Sequence, residues 1–222
     1  MRDIKSSFVI PRLSFAENIT LVLSILLLFM QPLKNAIPFF SYIDEFTVLF
    51  SFAVFVLNRV KRHSISIIEG KIIVAFFLFI IVGTFGNAVS KLDRSSAAIL
   101  TDILSYGKFF MMILGGLALF DSLKNVKWIF SIVVKLVRSL VVLGLVLAIL
   151  NQIMDLGMRD DIRYGMYCFS YIYDTAAIFS WYCYMFILIL SIDLLNGINR
   201  EKITYVILNM CLWLFTGRSR GF

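Results

Sequence analysis

The chain has 222 residues, of which 60% are hydrophobic, 15% are aromatic and 16% are charged, and its formal net charge is +7. A water-soluble globular protein carries about 45–50% apolar and about 25% charged residues, so this composition excludes an ordinary soluble domain. The long apolar runs instead predict several membrane-spanning helices, each needing about 20 apolar residues. The positive charge does not indicate nucleic-acid binding, because the basic residues form short clusters between apolar runs, as in the cytoplasmic loops of membrane proteins.

The order of the apolar runs predicts an all-α fold, a polytopic membrane helix bundle of about seven spans. No internal repeat or flexible linker is visible, so residues 1–222 are predicted to form a single transmembrane domain. The last span runs into the final residue without a polar tail, and we expect an N-terminal portion of a longer protein, with its last span truncated. The predicted spans are Ile19–Met30 with a continuation through Pro32 and Pro38, Tyr42–Leu57, Ile72–Val89, Ala97–Phe120, Val137–Met154, Thr175–Leu190, and Ile203 to the end.

The distribution of basic residues predicts a cytoplasmic N-terminus. With that orientation, 13 of the 21 lysines and arginines fall in cytoplasmic segments, in agreement with the positive-inside rule. The densest basic cluster, Arg59, Lys61 and Arg62, then follows the second span on the cytoplasmic side. The C-terminal arginines are placed on the outer side.

A second basic group precedes the fifth span. At about 100° per residue, Lys124, Lys127, Lys135 and Arg138 share an arc of roughly 80°, opposite Ile129, Val133 and Val137. This pattern predicts a basic amphipathic helix that lies on the anionic leaflet before the fifth span enters the bilayer. A topology anchor is a sufficient explanation for it.

Neither a metal site nor a cofactor is predicted. The three cysteines, Cys168, Cys183 and Cys211, have no metal-ligand or disulfide-framework spacing, and His63 is the single histidine of the sequence. No signal peptide is expected either, because the first residues are polar and no small-residue cleavage site follows the first apolar run.

Lys108 is the first candidate binding residue. It lies about 16 Å along the predicted fourth span from Ala97, at a depth where a charge needs a partner or water. Asp102 and Tyr106 share one face of this helix, but Lys108 points away from Asp102. Its partner must therefore come from another helix. Lys108 has two alternative roles: it forms an ion pair that joins two helices, or it binds a substrate anion.

The longest polar connection, residues 151–174, is predicted to lie outside the membrane. Its carboxylates Asp160 and Asp161 are adjacent in sequence but need not converge, so we interpret them as solvated loop residues. Arg163-Tyr164-Gly165 combines an arginine, an aromatic platform and a flexible backbone, a combination that suits a ligand containing phosphate and sugar.

The C-terminal tract Thr216-Gly217-Arg218-Ser219-Arg220-Gly221 places two arginines in the last apolar run. In a continuous helix Arg218 and Arg220 point about 200° apart, so both cannot face one ligand unless the helix breaks. Gly217 and Gly221 have the G-x-x-x-G spacing that lets another helix approach closely. A packing face with arginines that reach the membrane surface is the alternative interpretation.

This tract resembles the T-G-x-S-R-G signature of the O-antigen polymerase and O-antigen ligase superfamily. The Tyr42-Ile43-Asp44-Glu45 start of the second span and the segment from Arg159 to Gly165 are similar to what such proteins show. The resemblance implies polymerisation or ligation of undecaprenyl-diphosphate-linked oligosaccharides on the outer face of the bacterial cytoplasmic membrane, without a metal. It implies that Arg220 contacts the lipid diphosphate, while Arg218 departs from the commoner small or apolar residue.

Members of this superfamily are longer and carry a large outside loop, with a functional His or Arg, after the Ser-Arg-Gly helix. The chain ends before that loop, so we expect it to bind substrate but to be inactive alone, and its catalytic residues are unknown. We predict that the lipid diphosphate is bound by Arg220, Arg218, Arg163 and Lys108. Besides this substrate and membrane lipids, the candidate partners are a flippase and a chain-length regulator.

Two other classes of function remain open. A transporter or channel subunit would use Lys108 and Asp102 to line a conduction path, but the inverted repeat and broken helices typical of transporters are not visible in the sequence. A noncatalytic membrane scaffold would have the basic helix as its main feature. The sugar, the linkage and the choice between polymerase and ligase are not determined by the sequence.

Overall fold

The computed structural model describes residues 11–89, 96–154, 156–163 and 166–217. The described chain is mainly helical, and a small β-hairpin in the 151–174 connection is an addition to the predicted all-α fold. The elements are α1 (Phe15–Leu28), α2 (Met30–Ala36), a 3-10 helix (Pro38–Tyr42), α3 (Ile43–Arg62), α4 (Ile67–Val89), α5 (Ser96–Ser122), α6 (Val126–Ile153), β1 (Arg159–Arg163), β2 (Met166–Phe169), α7 (Ala176–Leu195) and α8 (Arg200–Leu214).

Two helices of the described residues, α6 and α7, are long and apolar enough to cross a membrane. A third crossing is possible if α1 and α2 together form one bent span. All seven predicted segments contain helix within the described residues, but seven spans are not confirmed.

The first predicted span is broken. A capping box between Ser14 and Glu17 starts α1, which ends at Leu28, and α2 leaves at an angle of 78°. Pro32 lies in the first turn of α2, where its missing N–H is tolerated, but it could not donate to the Leu28 carbonyl in a continuous helix. The Tyr173 hydroxyl donates to that carbonyl instead, at 3.0 Å. The predicted first span therefore contains two helices joined at a sharp bend.

The described residues form two compact units. The three-helix unit comprises Tyr42–Lys124, with α3, α4 and α5. Two contacts show that α3 and α5 run parallel. Near the start of α3, Glu45 pairs with Lys108 of α5, and further along α3 the Asn58 side chain donates to the Ala118 carbonyl, which also lies further along α5. A Cβ atom at Gly115 would lie 2.5 Å from the Ser51 carbonyl carbon, which shows how closely these two helices approach.

The hairpin unit combines the described residues up to Ser41 with the described residues from Asn125 onward. Its core is formed by apolar and aromatic side chains of α1, α6, β2, α7 and α8 and of the loop before α7. A Cβ atom at Gly144 of α6 would lie 3.1 Å from the Leu212 side chain of α8, so these helices also pack closely. The fully buried members of this core are Val137, Val141, Ala148, Phe169, Phe179, Cys183, Phe186 and Leu212.

The predicted amphipathic helix before the fifth span is not a separate element. Lys127, Lys135 and Arg138 belong to α6, which continues without a break for 28 residues to Ile153. Ile129 and Val137 on the opposite face are buried, as the angular pattern predicts. The absence of a helix breaker between the polar and apolar parts explains why one helix forms instead of two.

Candidate functional site

The end of α8 differs from the predicted helix through Phe222. The helix ends at Leu214, and the N–H groups of Phe215, Thr216 and Gly217 donate to the carbonyls of Leu212, Trp213 and Leu214. Gly217 has φ 65°, a left-handed conformation that favours glycine and commonly ends helices. The buried Thr216 hydroxyl also donates to the Trp213 carbonyl, at 2.7 Å.

The C-terminal arginines Arg218 and Arg220 do not belong to α8. The prediction that they diverge by about 200° assumed that this helix continues through both of them. α8 ends at Leu214, before either arginine. Arg218 and Arg220 themselves lie outside the described residues, as does Gly221.

The β-hairpin is attached to the end of α8. The N–H of Phe169 in β2 donates to the Phe215 carbonyl at 2.9 Å, which satisfies a group left open by the helix end. Gln152 at the end of α6 holds the same strand, because its side chain exchanges two hydrogen bonds with the backbone of Tyr167. The hairpin is therefore held between the ends of α6 and α8.

The strand register separates the two arginines of the hairpin. Arg163 pairs with Met166, next to the turn, whereas Arg159 pairs with Phe169. Three residues along a strand correspond to about 10 Å, so Arg159 occupies the register position nearer to the end of α8. Sequence reasoning selected Arg163 because of its Tyr-Gly neighbours, and only the register identifies Arg159 as the nearer position.

A cluster of buried aromatic side chains supports the hairpin and the start of α7. Tyr173 stacks on Tyr182 with ring centroids 4.1 Å apart and on Phe179 at 5.4 Å. Phe169 of β2 contacts Tyr171 and Phe179. Burial raises the pKa of the Tyr171 and Tyr173 hydroxyls, and the Tyr173 hydroxyl donates a hydrogen bond to the Leu28 carbonyl.

Tyr171 has φ 57°, which is uncommon for an aromatic residue. Such a conformation persists when the surrounding packing determines it, and here the ring lies against Phe169, Tyr173 and Phe179. The aromatic cluster thus packs closely beneath the hairpin.

Lys108 belongs to the three-helix unit. Its ammonium group donates to Glu45 of α3 at 2.6 Å, as expected for a partner on another helix. Glu45 and its neighbour Asp44 lie in the first turn of α3, where the helix dipole favours negative charge. A lysine matched by one carboxylate and adjacent to a second offers little net positive charge to a diphosphate. The ion pair is therefore the alternative that the structure favours for Lys108.

The other end of the three-helix unit has a second ion pair. The Arg59 guanidinium contacts the carboxylate of Glu69, whose side chain is only 2% exposed, and lies 3.8 Å from Asp121. Glu69 also receives the N–H of Ser66 at 2.8 Å. These contacts join α3, α4 and α5 and assign Arg59 a structural role.

Within the described ranges, no group of three or more His, Cys, Asp or Glu side chains could hold a metal ion. Comparison with family models, with curated proteins and with solved structures finds no match to this chain. The junction of the β-hairpin with the end of α8 is the candidate functional site, since the segment that carries Arg159 and Arg163 meets the residues that precede Arg218 there.

Proposed function

We propose that this chain is part of a multi-pass membrane protein of the bacterial cytoplasmic membrane, with a cytoplasmic N-terminus. The protein polymerises or ligates undecaprenyl-diphosphate-linked oligosaccharides during synthesis of a surface polysaccharide. The Thr216–Gly221 tract suggests this activity by its resemblance to the T-G-x-S-R-G signature. The apolar helices α6 and α7 are compatible with the membrane location.

The observation that carries the proposal is the hydrogen bond between Phe169 and Phe215. It joins a hairpin with two strand arginines to the helix end that immediately precedes the Arg-Ser-Arg-Gly tract. Phe169 and Phe215 are 46 positions apart in the sequence. Their hydrogen bond therefore joins the hairpin to the helix end that precedes the C-terminal tract, and each of these two parts of the sequence contains arginines.

The chemistry of the proposed reaction fits guanidinium groups. The leaving group of the glycosyl donor is a lipid diphosphate, whose negative charge increases as the glycosidic bond breaks. Arginine binds phosphate oxygens through paired, charge-assisted N–H donors, and this stabilisation is strongest where water is excluded. In this proposal Arg220 is the main diphosphate contact, with Arg218 and the hairpin arginines as further contacts.

The test replaces Arg220 by Ala in the intact protein and measures the chain-length distribution of the surface polysaccharide by gel electrophoresis. We expect loss of extended chains at an unchanged protein level in the membrane. Arg220→Lys should restore extension only partly, because lysine keeps the charge but loses the bidentate geometry. Arg200→Ala, an exposed position at the start of the same helix α8, is the matched control. A normal chain-length distribution in Arg220→Ala cells contradicts the proposal.

A transporter or channel subunit is the second candidate, and the 78° break between α1 and α2 favours it. Broken helices are typical of transporter binding sites, and this break was not expected from the sequence. Solute or ion flux into proteoliposomes, lost on Lys108→Ala, would support this candidate over the glycosyl-transferring one.

A further inference from the structure

Three polar side chains form a cluster beside the bend between α1 and α2 in the hairpin unit. Gln31 and Asn35 of α2 donate their side-chain N–H groups to the two carboxylate oxygens of Asp174, in the loop before α7. Gln31 and Asn35 are about one helical turn apart, so they share a face of α2. Nothing in the sequence connects this amide–carboxylate cluster, since 139 positions separate Asn35 from Asp174.

The bend does not need the cluster to satisfy the end of α1. The Tyr173 hydroxyl donates to the Leu28 carbonyl at 3.0 Å, and the Tyr182 hydroxyl donates to the Leu27 carbonyl at 3.3 Å. These two tyrosines supply donors to carbonyls that a helix end leaves open. The amide–carboxylate cluster is therefore an addition to the contacts that accommodate the bend.

The cluster has unused hydrogen-bonding capacity. A carboxylate has about four lone-pair sites, of which the two amides occupy two, and each amide keeps its oxygen and a second N–H group. Among the described residues, these remaining groups have no hydrogen-bonding partner. Asn35 and Asp174 are exposed and Gln31 is half-buried, so a ligand can reach them.

The charge of the cluster favours a neutral ligand over a phosphate. Asp174 carries a negative charge, which Lys34, exposed on α2, balances but does not reverse. A phosphate group at the cluster would lie beside a carboxylate, which repels it. A sugar hydroxyl both donates and accepts hydrogen bonds, and it therefore matches carboxylate lone pairs that lie next to amide N–H groups.

Aromatic contacts place the cluster at the same end of the hairpin unit as the candidate functional site. Tyr173, immediately before Asp174, stacks on Phe179 with ring centroids 5.4 Å apart. Phe179 contacts Phe169 at 5.8 Å, and the N–H of Phe169 donates to the Phe215 carbonyl at the end of α8. The cluster and the helix end before the C-terminal tract are thus connected through one aromatic core.

We propose that the amide–carboxylate cluster binds hydroxyl groups of the oligosaccharide in the lipid-linked substrate. This inference rests on the proposed function and divides the substrate by its chemistry: arginines bind the charged diphosphate, and the cluster binds the neutral sugar. Asp174 accepts a hydrogen bond from a sugar hydroxyl, and the second N–H groups of Gln31 and Asn35 donate to sugar oxygens. The cluster binds and orients the sugar, and no covalent bond forms or breaks there.

The experiment compares the binding of two probes to the intact protein in phosphatidylcholine nanodiscs. One probe is undecaprenyl diphosphate, and the other is the undecaprenyl-diphosphate-linked oligosaccharide extracted from cells that make the protein. We expect the unmodified protein to bind the oligosaccharide-linked probe more tightly. Asp174→Ala should lower the affinity for this probe about tenfold, the value of one hydrogen bond to a charged group. Its affinity for undecaprenyl diphosphate should stay unchanged.

Asn35→Leu is the second variant, because leucine is similar in volume and forms no hydrogen bonds. It should weaken binding of the oligosaccharide-linked probe about threefold, as expected for a neutral hydrogen bond. Asn196→Leu is the matched control, since Asn196 is an exposed asparagine at the other end of α7. It should bind both probes as the unmodified protein does. An equal weakening of both probes by Asp174→Ala assigns the cluster a purely structural role and overturns the proposal.

Other outcomes separate this inference from the proposed function. Equal affinity of the unmodified protein for the two probes overturns the sugar site and leaves the proposed function standing. Binding of neither probe overturns both. Phosphatidylglycerol also carries hydroxyl groups, in its glycerol headgroup. If it displaces the oligosaccharide-linked probe from the unmodified protein but not from Asp174→Ala, the cluster binds a membrane lipid and the proposal is wrong.

Discussion

The two units differ in the polar groups that they bury. The three-helix unit buries a carboxylate that forms an ion pair, whereas the hairpin unit mainly buries neutral groups that form hydrogen bonds. Glu69, 2% exposed, faces the Arg59 guanidinium. In the hairpin unit, the buried hydroxyl of Tyr173 and the buried amide of Asn209 donate to backbone carbonyls. Even its buried carboxylate, Glu17, accepts from the backbone N–H groups of Ser14 and Asn125.

This difference has an energetic consequence. Removing one partner of a buried ion pair leaves a full charge out of water, whereas removing a neutral donor leaves only a dipole unsatisfied. The three-helix unit should therefore be the more sensitive of the two to a single substitution in its polar contacts.

Glu69→Ala should have the largest effect. It leaves Arg59 without its closest partner, and we expect a loss of about 3–5 kcal/mol in the free energy of unfolding. Unfolding in mixed micelles of mild detergent and dodecyl sulfate, followed by circular dichroism, measures this loss. Glu201→Ala in the hairpin unit is the control, because Glu201 is 60% exposed and Arg138 keeps Asp193. A loss below about 1 kcal/mol is expected there, and equal losses for both variants would remove the distinction between the units.

Gly115→Ala tests whether close helix packing, beside charge, holds the three-helix unit together. The new Cβ would lie 2.5 Å from atoms of Ser51, so α3 and α5 must separate, and we expect a loss of about 1–3 kcal/mol in the same assay. The adjacent Gly116→Ala meets nothing within 4 Å. It should be neutral or raise the stability by up to about 1 kcal/mol through helix propensity. If both variants behave alike, the close approach of α3 and α5 is not a stabilising feature.

Tyr173→Phe should have the smallest effect and addresses the hairpin unit. It keeps the aromatic stacking but leaves the Leu28 carbonyl without the donor that Pro32 cannot supply, so we expect a loss of about 1–2 kcal/mol. Tyr184→Phe on α7, where the side chain is 40% exposed, is the control and should change little. A loss as large as that of Glu69→Ala would show that neutral groups are as critical here as charges.

Several features could be predicted from the sequence with the periodicity and geometry of a single helix. The angle between Lys108 and Asp102 predicted that the partner of Lys108 lies on another helix, and Glu45 of α3 is that partner. The pattern of α6 predicted which of its faces is buried. These predictions depend only on the 3.6-residue repeat of the helix, which every local sequence obeys.

Other features depend on residues far apart in the chain. Pro32 is visible as a helix breaker, but Tyr173, which accommodates the break, lies in another part of the sequence. Whether Arg159 or Arg163 lies nearer to the end of α8 depends on the strand register. Pairing between the two strands of the hairpin sets that register. The end of α8 at Leu214 lies beside the left-handed Gly217, which is visible in the sequence as a glycine, and beside the strand contact at Phe215, which is not.

The sequence by itself determined a helical chain with apolar segments, because hydrophobic burial and backbone hydrogen bonding act along each segment independently. It also determined the C-terminal tract that motivates the proposed function. Only the tertiary structure decided that Lys108 is matched by Glu45, that α1 and α2 are separate, and that the hairpin meets the end of α8. The reason is physical: the free energy of a paired charge or a satisfied carbonyl depends on the distance between its partners in space, which their positions in the sequence do not specify.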